Sequence, residues 1–197
     1  MIRSALAPHL DSLVGFRRDI HAHPELSFQE FRTTDRIVAA LEAAGLRPRR
    51  LEGSGVVCEV GSGPLALALR ADIDALPLDD LTGTDFVSTV PGVAHACGHD
   101  IHLSALVGAG IVLADMHRSR PGGLGGTVRL IFQPAEEVTP GGALTVIQQG
   151  ALADVPQVFA IHCDPNVDVG HVGSRIGAIT AAGDTVIVRL RGHGGHT

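Results

Sequence analysis

Apolar side chains at the start of the chain recur at helical spacing. Leu6, Leu10, Leu13 and Phe16 or Arg17 share one stripe, which predicts an amphipathic helix ending near His23-Pro24. A second helix follows. Ser27 and Glu30 form the S-x-x-E pattern of a capping box, and Phe31, Ile37, Val38 and Leu41 supply a stripe that closes at Gly45. His21 and His23 fall between these helices, where a solvated or capping role is expected. From Gly55 the period changes. Val56 to Val60 and Leu65 to Arg70 are short apolar runs broken by glycine, the pattern of strands. His99 to His117 returns to helical spacing through Leu103, Leu106, Val107 and Ile111, with Ala105, Gly108, Ala109 and Gly110 small enough for close packing. Beyond a flexible Pro121 to Gly126 loop, Thr127 to Phe132 predicts a buried strand, Gly141 to Gln149 a helix, and Val158 to His162 another short buried strand. After Pro165, Gly170, Gly173 and Gly177 space short segments, and Asp184 to Arg191 alternates as a strand.

Strands that alternate with helices, and that read as unbroken apolar runs, predict an α/β fold with a mixed, mostly parallel sheet covered by helices on both faces. In such sheets ligands gather at the carboxyl ends of the strands. Three stretches rich in chemistry lie at or just past such ends: Asp72-Ile73-Asp74, Glu136-Glu137 and His162.

The densest stretch is His95-Ala96-Cys97-Gly98-His99-Asp100-Ile101-His102. Cys97 and His99 flank a glycine, whose freedom to turn lets both side chains face one ion. The plain alternative is a buried cysteine among surface imidazoles. If Cys97, His99, one of the paired glutamates and His162 meet at the sheet edge, thiolate, imidazole and carboxylate together suit zinc, manganese, cobalt or nickel; calcium would want oxygen alone. Adjacent glutamates can divide the work, one binding metal and the other taking a proton from water. Asp72 and Asp74 alternate on an extended segment and so share a face, where either could orient a ligating histidine or cap the turn at Pro77. Asp100 has the same two options, a helix cap or support for a ligand. Cys58 and Cys163 read as packed small hydrophobes.

Composition narrows the partner. The chain has 197 residues, 45% of them hydrophobic, enough for one substantial core and the start of a second domain. A formal charge of -6 and the absence of Trp and Tyr argue against nucleic acid, which needs clustered cations and stacking rings. A small-molecule substrate is expected. Three scattered cysteines do not resemble a disulfide framework, and the N-terminal stretch lacks the apolar core of a signal peptide, so a reducing, cytoplasmic setting away from membranes is expected.

Five ordered motifs carry a resemblance: Arg70-Ala71-Asp72-Ile73-Asp74-Ala75-Leu76-Pro77, then His95 to His102, then Phe132-Gln133-Pro134-Ala135-Glu136-Glu137, then His162 with Pro165 three residues on, and finally Gly192-x-Gly-Gly-His196. In this order they resemble the metal-dependent aminoacylase and carboxypeptidase family, and most closely its amidohydrolase branch, which includes hippurate hydrolase and the auxin-conjugate hydrolases. The resemblance implies a zinc-exopeptidase-like catalytic domain over residues 1–181, and over 182–197 the first strand of an α+β lid and dimerisation domain. It implies that Cys97, His99, Glu137 and His162 are ligands of a two-metal site, that Glu136 is the general base, and that Asp74 supports the site. His196 matches a lid histidine that reaches the partner subunit's site to stabilise the oxyanion, while His193 stands where relatives often carry a basic residue. The implied reaction is hydrolysis of the amide of an N-acyl amino acid by a homodimer. A further metal-binding histidine would follow Thr197, so the chain is expected to be an N-terminal fragment. The alternatives are a metal-binding fragment without catalysis, and a peptidase using the same chemistry.

Overall fold

The structure, a computed structural model, describes residues 2–179 and 186–195. It divides into two compact units, Met1–Cys163 and Asp164–Thr197. The elements of the first are α1 (Ile2–Leu6), a 3-10 turn (Ala7–His9), α2 (Leu10–Ala22), α3 (Phe31–Ala43), β1 (Arg49–Arg50), β2 (Val56–Gly61), β3 (Leu65–Asp72), α4 (His99–Ser119), β4 (Thr127–Gln133), α5 (Gly142–Gln148) and β5 (Val158–Ala160). The expected first helix is thus interrupted at Pro8, which has no N–H to give to the preceding turn.

The strands form one sheet in the order β1-β2-β4-β3-β5. β3 runs parallel to both β4 and β5, whereas β2 is antiparallel to β1 and β4. The sheet is therefore mixed, as expected, but evenly so. The link between β2 and β3 is too short for a crossover, and the chain must reverse there.

Strand alternation divides the core into two layers. Val56, Cys58 and Val60 of β2 and Val128, Leu130 and Phe132 of β4 face a cluster that includes Ile20, Ile37, Leu41, Leu103 and Val107 from the helices. Their neighbours Val57 and Ile131 face the opposite side, with Ala68, Val146 and Ala151. A period of two in side-chain direction is all this requires. Helix α4 can lie close on the first layer because of its small residues: a Cβ on Gly110 would stand 2.7 Å from a Leu130 methyl, and one on Gly108 would stand 2.9 Å from Leu13.

Two strand expectations need correction. β5 stops at Ala160 and is exposed, with Phe159 at 52%, because among the described residues it is an edge strand that pairs with β3 alone. In the second unit, the described residues contain no helix or strand. Val186 to Arg191 is unpaired there, while Asp184 lies outside the described residues. This unit opens on a turn in which the Asp164 carboxylate accepts both N–H groups of Asn166, at 2.8 and 2.9 Å. Among the described residues, no helix is long and apolar enough to cross a membrane.

The expected capping box does not form. The first free N–H groups of α3, those of Arg32 and Thr33, are taken by the carboxylate of Glu25 at 2.9 and 2.7 Å. Ser27 instead donates its hydroxyl to Asp74, and Glu30 turns inward. Glu25→Ala is therefore expected to lower the unfolding free energy by about 1 kcal/mol, within the range of a lost helix cap. Urea denaturation followed by circular dichroism measures it, and an unchanged midpoint would contradict this account of the helix start.

Candidate metal centre

β3, β4 and β5 end side by side, and the chain delivers its polar residues just beyond those ends. Asp72 closes β3 and pairs in register with Gln133, the last residue of β4. His162 lies two residues past β5. Between them α4 begins at His99, after Gly98 adopts a φ of +85°. That left-handed turn is inexpensive only for glycine. A Cβ there would also press on the Cys163 side chain at 3.3 Å.

His99 is the hub of the cluster. The donor atoms of Cys97, His99 and His162 all lie within 4.8 Å of one another, as do those of His99, Glu136 and Glu137. All the residues expected as ligands, together with Glu136, are therefore gathered around one imidazole. The protonation of that ring follows from its partners. Nδ1 faces the Asp74 carbonyl at 2.9 Å and its carboxylate at 3.2 Å, both acceptors, so Nδ1 carries the proton. Nε2 then points at Glu137 Oε1 and Asp72 Oδ2, each at 3.6 Å, and at Glu136 Oε2 at 4.0 Å. Both His99 Nε2 and Glu137 Oε1 are buried without a hydrogen-bond partner. An acceptor nitrogen and an acceptor oxygen left facing each other is the arrangement that a divalent cation satisfies. The residues fit the ion.

In the ion-free chain the crowded carboxylates draw protons to positions that a cation would take instead, with Asp72 as the exception. Burial opposes a charge on His99, but its bond to Asp74 and the nearby Asp72 and Glu137 carboxylates outweigh that and raise its pKa. Burial and the charges of Glu137 and Glu136 push the Cys97 thiol up to about 12, so without a cation it stays protonated. Glu136 is raised by burial and by its like-charged neighbours Glu137 and Asp72. Asp72 goes the other way: burial is overcome by the bond from His102 and the charge of Arg70, which hold it down near 2.

The two aspartates orient imidazoles and do not cap the Pro77 turn. Asp74 accepts from His99, from the Ser27 hydroxyl at 2.6 Å and from the Glu137 N–H at 3.0 Å. Asp72 accepts from His102 Nδ1 at 2.7 Å, and His102 Nε2 in turn accepts the Cys163 N–H at 2.8 Å. Both nitrogens of His102 are thus occupied, which leaves it no lone pair for an ion. It ties α4 to the segment that carries His162. His99 and His102, three apart on one helical face, both turn toward Asp72, so His102 frames the site.

Other expected roles change. Asp100 neither caps α4 nor supports a ligand; it is buried and pairs with Arg17 at 2.6 Å and His21 at 2.8 Å. His21 is itself buried, not solvated, and its other nitrogen faces Asp80 at 3.1 Å. His95 is buried with neither nitrogen bonded, and burial lowers its pKa to about 4. Cys58 is a packed thiol, pushed up to about 11 by burial, and Cys163 is half-buried against Gly98. His193 is exposed in the second unit, and His196 lies outside the described residues. Glu30 was missed as a site residue. Its carboxylate accepts the Ala135 N–H at 2.7 Å across 105 residues of sequence, a contact with no local signature.

The model of peptidase family M20/M25/M40 matches residues 68–194, well over half of the chain. A Rhodococcus jostii protein bearing the name of a glutamate–cysteine ligase is 51% identical over 188 residues, covering 94% of this chain but 23% of that protein. N-acetyl-L-cysteine deacetylase of Bacillus subtilis is 43% identical over 189 residues, 93% of this chain and 44% of the relative. Among solved structures, a dinuclear metal-binding peptidase of the M20 family from Bacillus subtilis matches with a TM-score of 0.74 at 41% identity, over 81% of this chain and 44% of that one. The chain spans less than half the length of these relatives. The ligase name belongs to a protein of which the match is under a quarter, whereas the deacetylase and the solved peptidase share close to half their length with the chain. With its strand ends, its buried His99 and its paired glutamates in the matched region, the chain belongs to peptidase family M20/M25/M40.

Proposed function

We propose that this chain is the metal-binding part of a hydrolase that cleaves the amide of N-acyl amino acids. The observation that carries the reading is the pair of facing, unpartnered acceptors at His99 Nε2 and Glu137 Oε1, with Cys97, His162 and Glu136 around them. Cys97, His99, Glu137 and His162 would hold the metal, two ions in the longer protein, drawn from manganese, zinc, cobalt and nickel. A divalent ion held by these residues would supply polarisation of the scissile carbonyl and a water acidic near neutral pH. Glu136 is the base. It is 43% exposed, within 4.0 Å of His99, and its pKa is raised by burial and by the neighbouring Glu137 and Asp72 carboxylates, so it is placed to take a proton from the attacking water and return it to the departing nitrogen. The water oxygen joins the acyl carbon, the C–N bond breaks, and a carboxylate and an amino acid leave. Asp74 keeps the His99 tautomer fixed throughout.

The substrate class rests on the deacetylase relative and on the resemblance in the five motifs. The same resemblance supports residues 182–197 as the start of a lid and dimerisation domain, His196 as an oxyanion donor, and a homodimer for the longer protein. Free Cys58, Cys97 and Cys163 agree with a reducing cytoplasm.

With manganese or zinc supplied, Glu136→Gln is expected to cut release of the amino acid from N-acetyl substrates by about 10²- to 10⁴-fold, the usual worth of a general base, without loss of metal content. Undiminished turnover would exclude the role. If the unmodified 197-residue chain binds metal yet releases no amino acid, it is a binding fragment. Metal uptake should also depend on pH with a definite sign. The Cys97 thiol, at about 12 in the ion-free chain, must lose its proton to bind. Raising pH therefore strengthens binding, by about tenfold per unit for one proton released. Calorimetric titrations in buffers of different ionisation enthalpy count that proton, and a pH-independent affinity would remove Cys97 from the ligand set.

A further inference from the structure

We propose that Glu30 is a positioning residue for the glutamate pair: its buried carboxylate fixes the Ala135 peptide and thereby the aim of both Glu136 and Glu137. The inference rests on reading Glu137 as a ligand and Glu136 as the base.

Glu30 is fully buried at the entrance to α3, yet it does not cap that helix, because Glu25 does. Among the described residues it has no ion-pair partner. Among the described residues, its oxygens accept from the Ser54 hydroxyl at 2.6 Å and the Ala135 N–H at 2.7 Å, with its own backbone N–H as a further donor. A carboxylate buried without a cation is costly, so a role in fold stability alone is a poor account of it.

What it holds is an unusual backbone. Ala135 has a φ of +50°, the left-handed region that a side chain disfavours. Three hydrogen bonds maintain it. Glu30 takes the Ala135 N–H, the Ala135 carbonyl accepts from Gly142 at 2.7 Å, and Asp74 takes the Glu137 N–H at 3.0 Å. In an extended segment, consecutive side chains point to opposite faces. Here Glu136 and Glu137 both approach His99 Nε2, at 4.0 and 3.6 Å. The turn at Ala135 permits this, and Glu30 supplies the bond at its start.

Manganese titration of the 197-residue chain tests the assignment, with folding checked by circular dichroism. Glu30→Gln keeps an oxygen for Ala135, and its amide can donate to Ser54, whose hydroxyl turns to accept; affinity should stay within about threefold of the unmodified chain. Ser54→Ala spares the Ala135 bond and should do the same. Glu30→Met removes both acceptors at similar volume and should weaken binding by about 10- to 100-fold, the usual cost of losing support behind a ligand. A folded Glu30→Met chain with undiminished affinity overturns the proposal. Should that variant fail to fold, Glu30→Asp decides, since it keeps the charge but falls short of Ala135: at least about tenfold weaker binding is expected, and unchanged affinity overturns the proposal. If the unmodified chain takes up no manganese, the reading of the centre falls and this inference with it; equal binding by the unmodified and Met chains sinks the inference alone.

Discussion

Two parallel pairings, β3 with β4 and β3 with β5, are what the rest of this structure depends on. Parallel neighbours finish at the same edge, so Asp74, the glutamate pair and His162 emerge together although nearly ninety residues separate the first from the last. Antiparallel pairing at either seam would send one group to the far end of the sheet. Register matters as much as direction. Asp72 lies opposite Gln133, and a slip of one residue would turn every side chain of a strand to its other face.

At that edge the electrostatics are unbalanced by design of the sequence: four carboxylates, those of Asp72, Asp74, Glu136 and Glu137, surround the single ring of His99. They are not equivalent. Asp72 and Asp74 are buried and given hydrogen-bond donors, which keeps them ionised and fixed. Glu136 has mainly like-charged company and partial exposure, which raises its pKa. One cluster thus separates carboxylates held ionised by their donors from one whose pKa is raised, by environment alone.

Periodicity made much of this legible. The apolar runs located every long strand, and their order indicated an α/β sheet with chemistry at its carboxyl edge. Gly98 between Cys97 and His99 announced a turn, and the backbone there is left-handed as glycine permits. What failed was whatever depended on distant partners. Ser27 and Glu30 match a capping box, yet Asp74 and Ala135 compete for their side chains and win. His21 looked solvated because nothing near it in sequence shows that Asp80 and Asp100 enclose it. β5 read as buried because an apolar run does not reveal whether its strand lies at an edge.

The bond from Glu30 to Ala135 also bears on how the molecule forms. Its ends are 105 residues apart, and the hydrogen bond between His9 and Asp115 spans a similar interval. Contacts this remote are slow to close, because loop entropy must be overcome before they give anything back. During synthesis the first helices emerge long before the turn they hold. The glutamate pair therefore depends for its aim on a contact that closes only once the helix entrance at Glu30 has docked beside the end of β4.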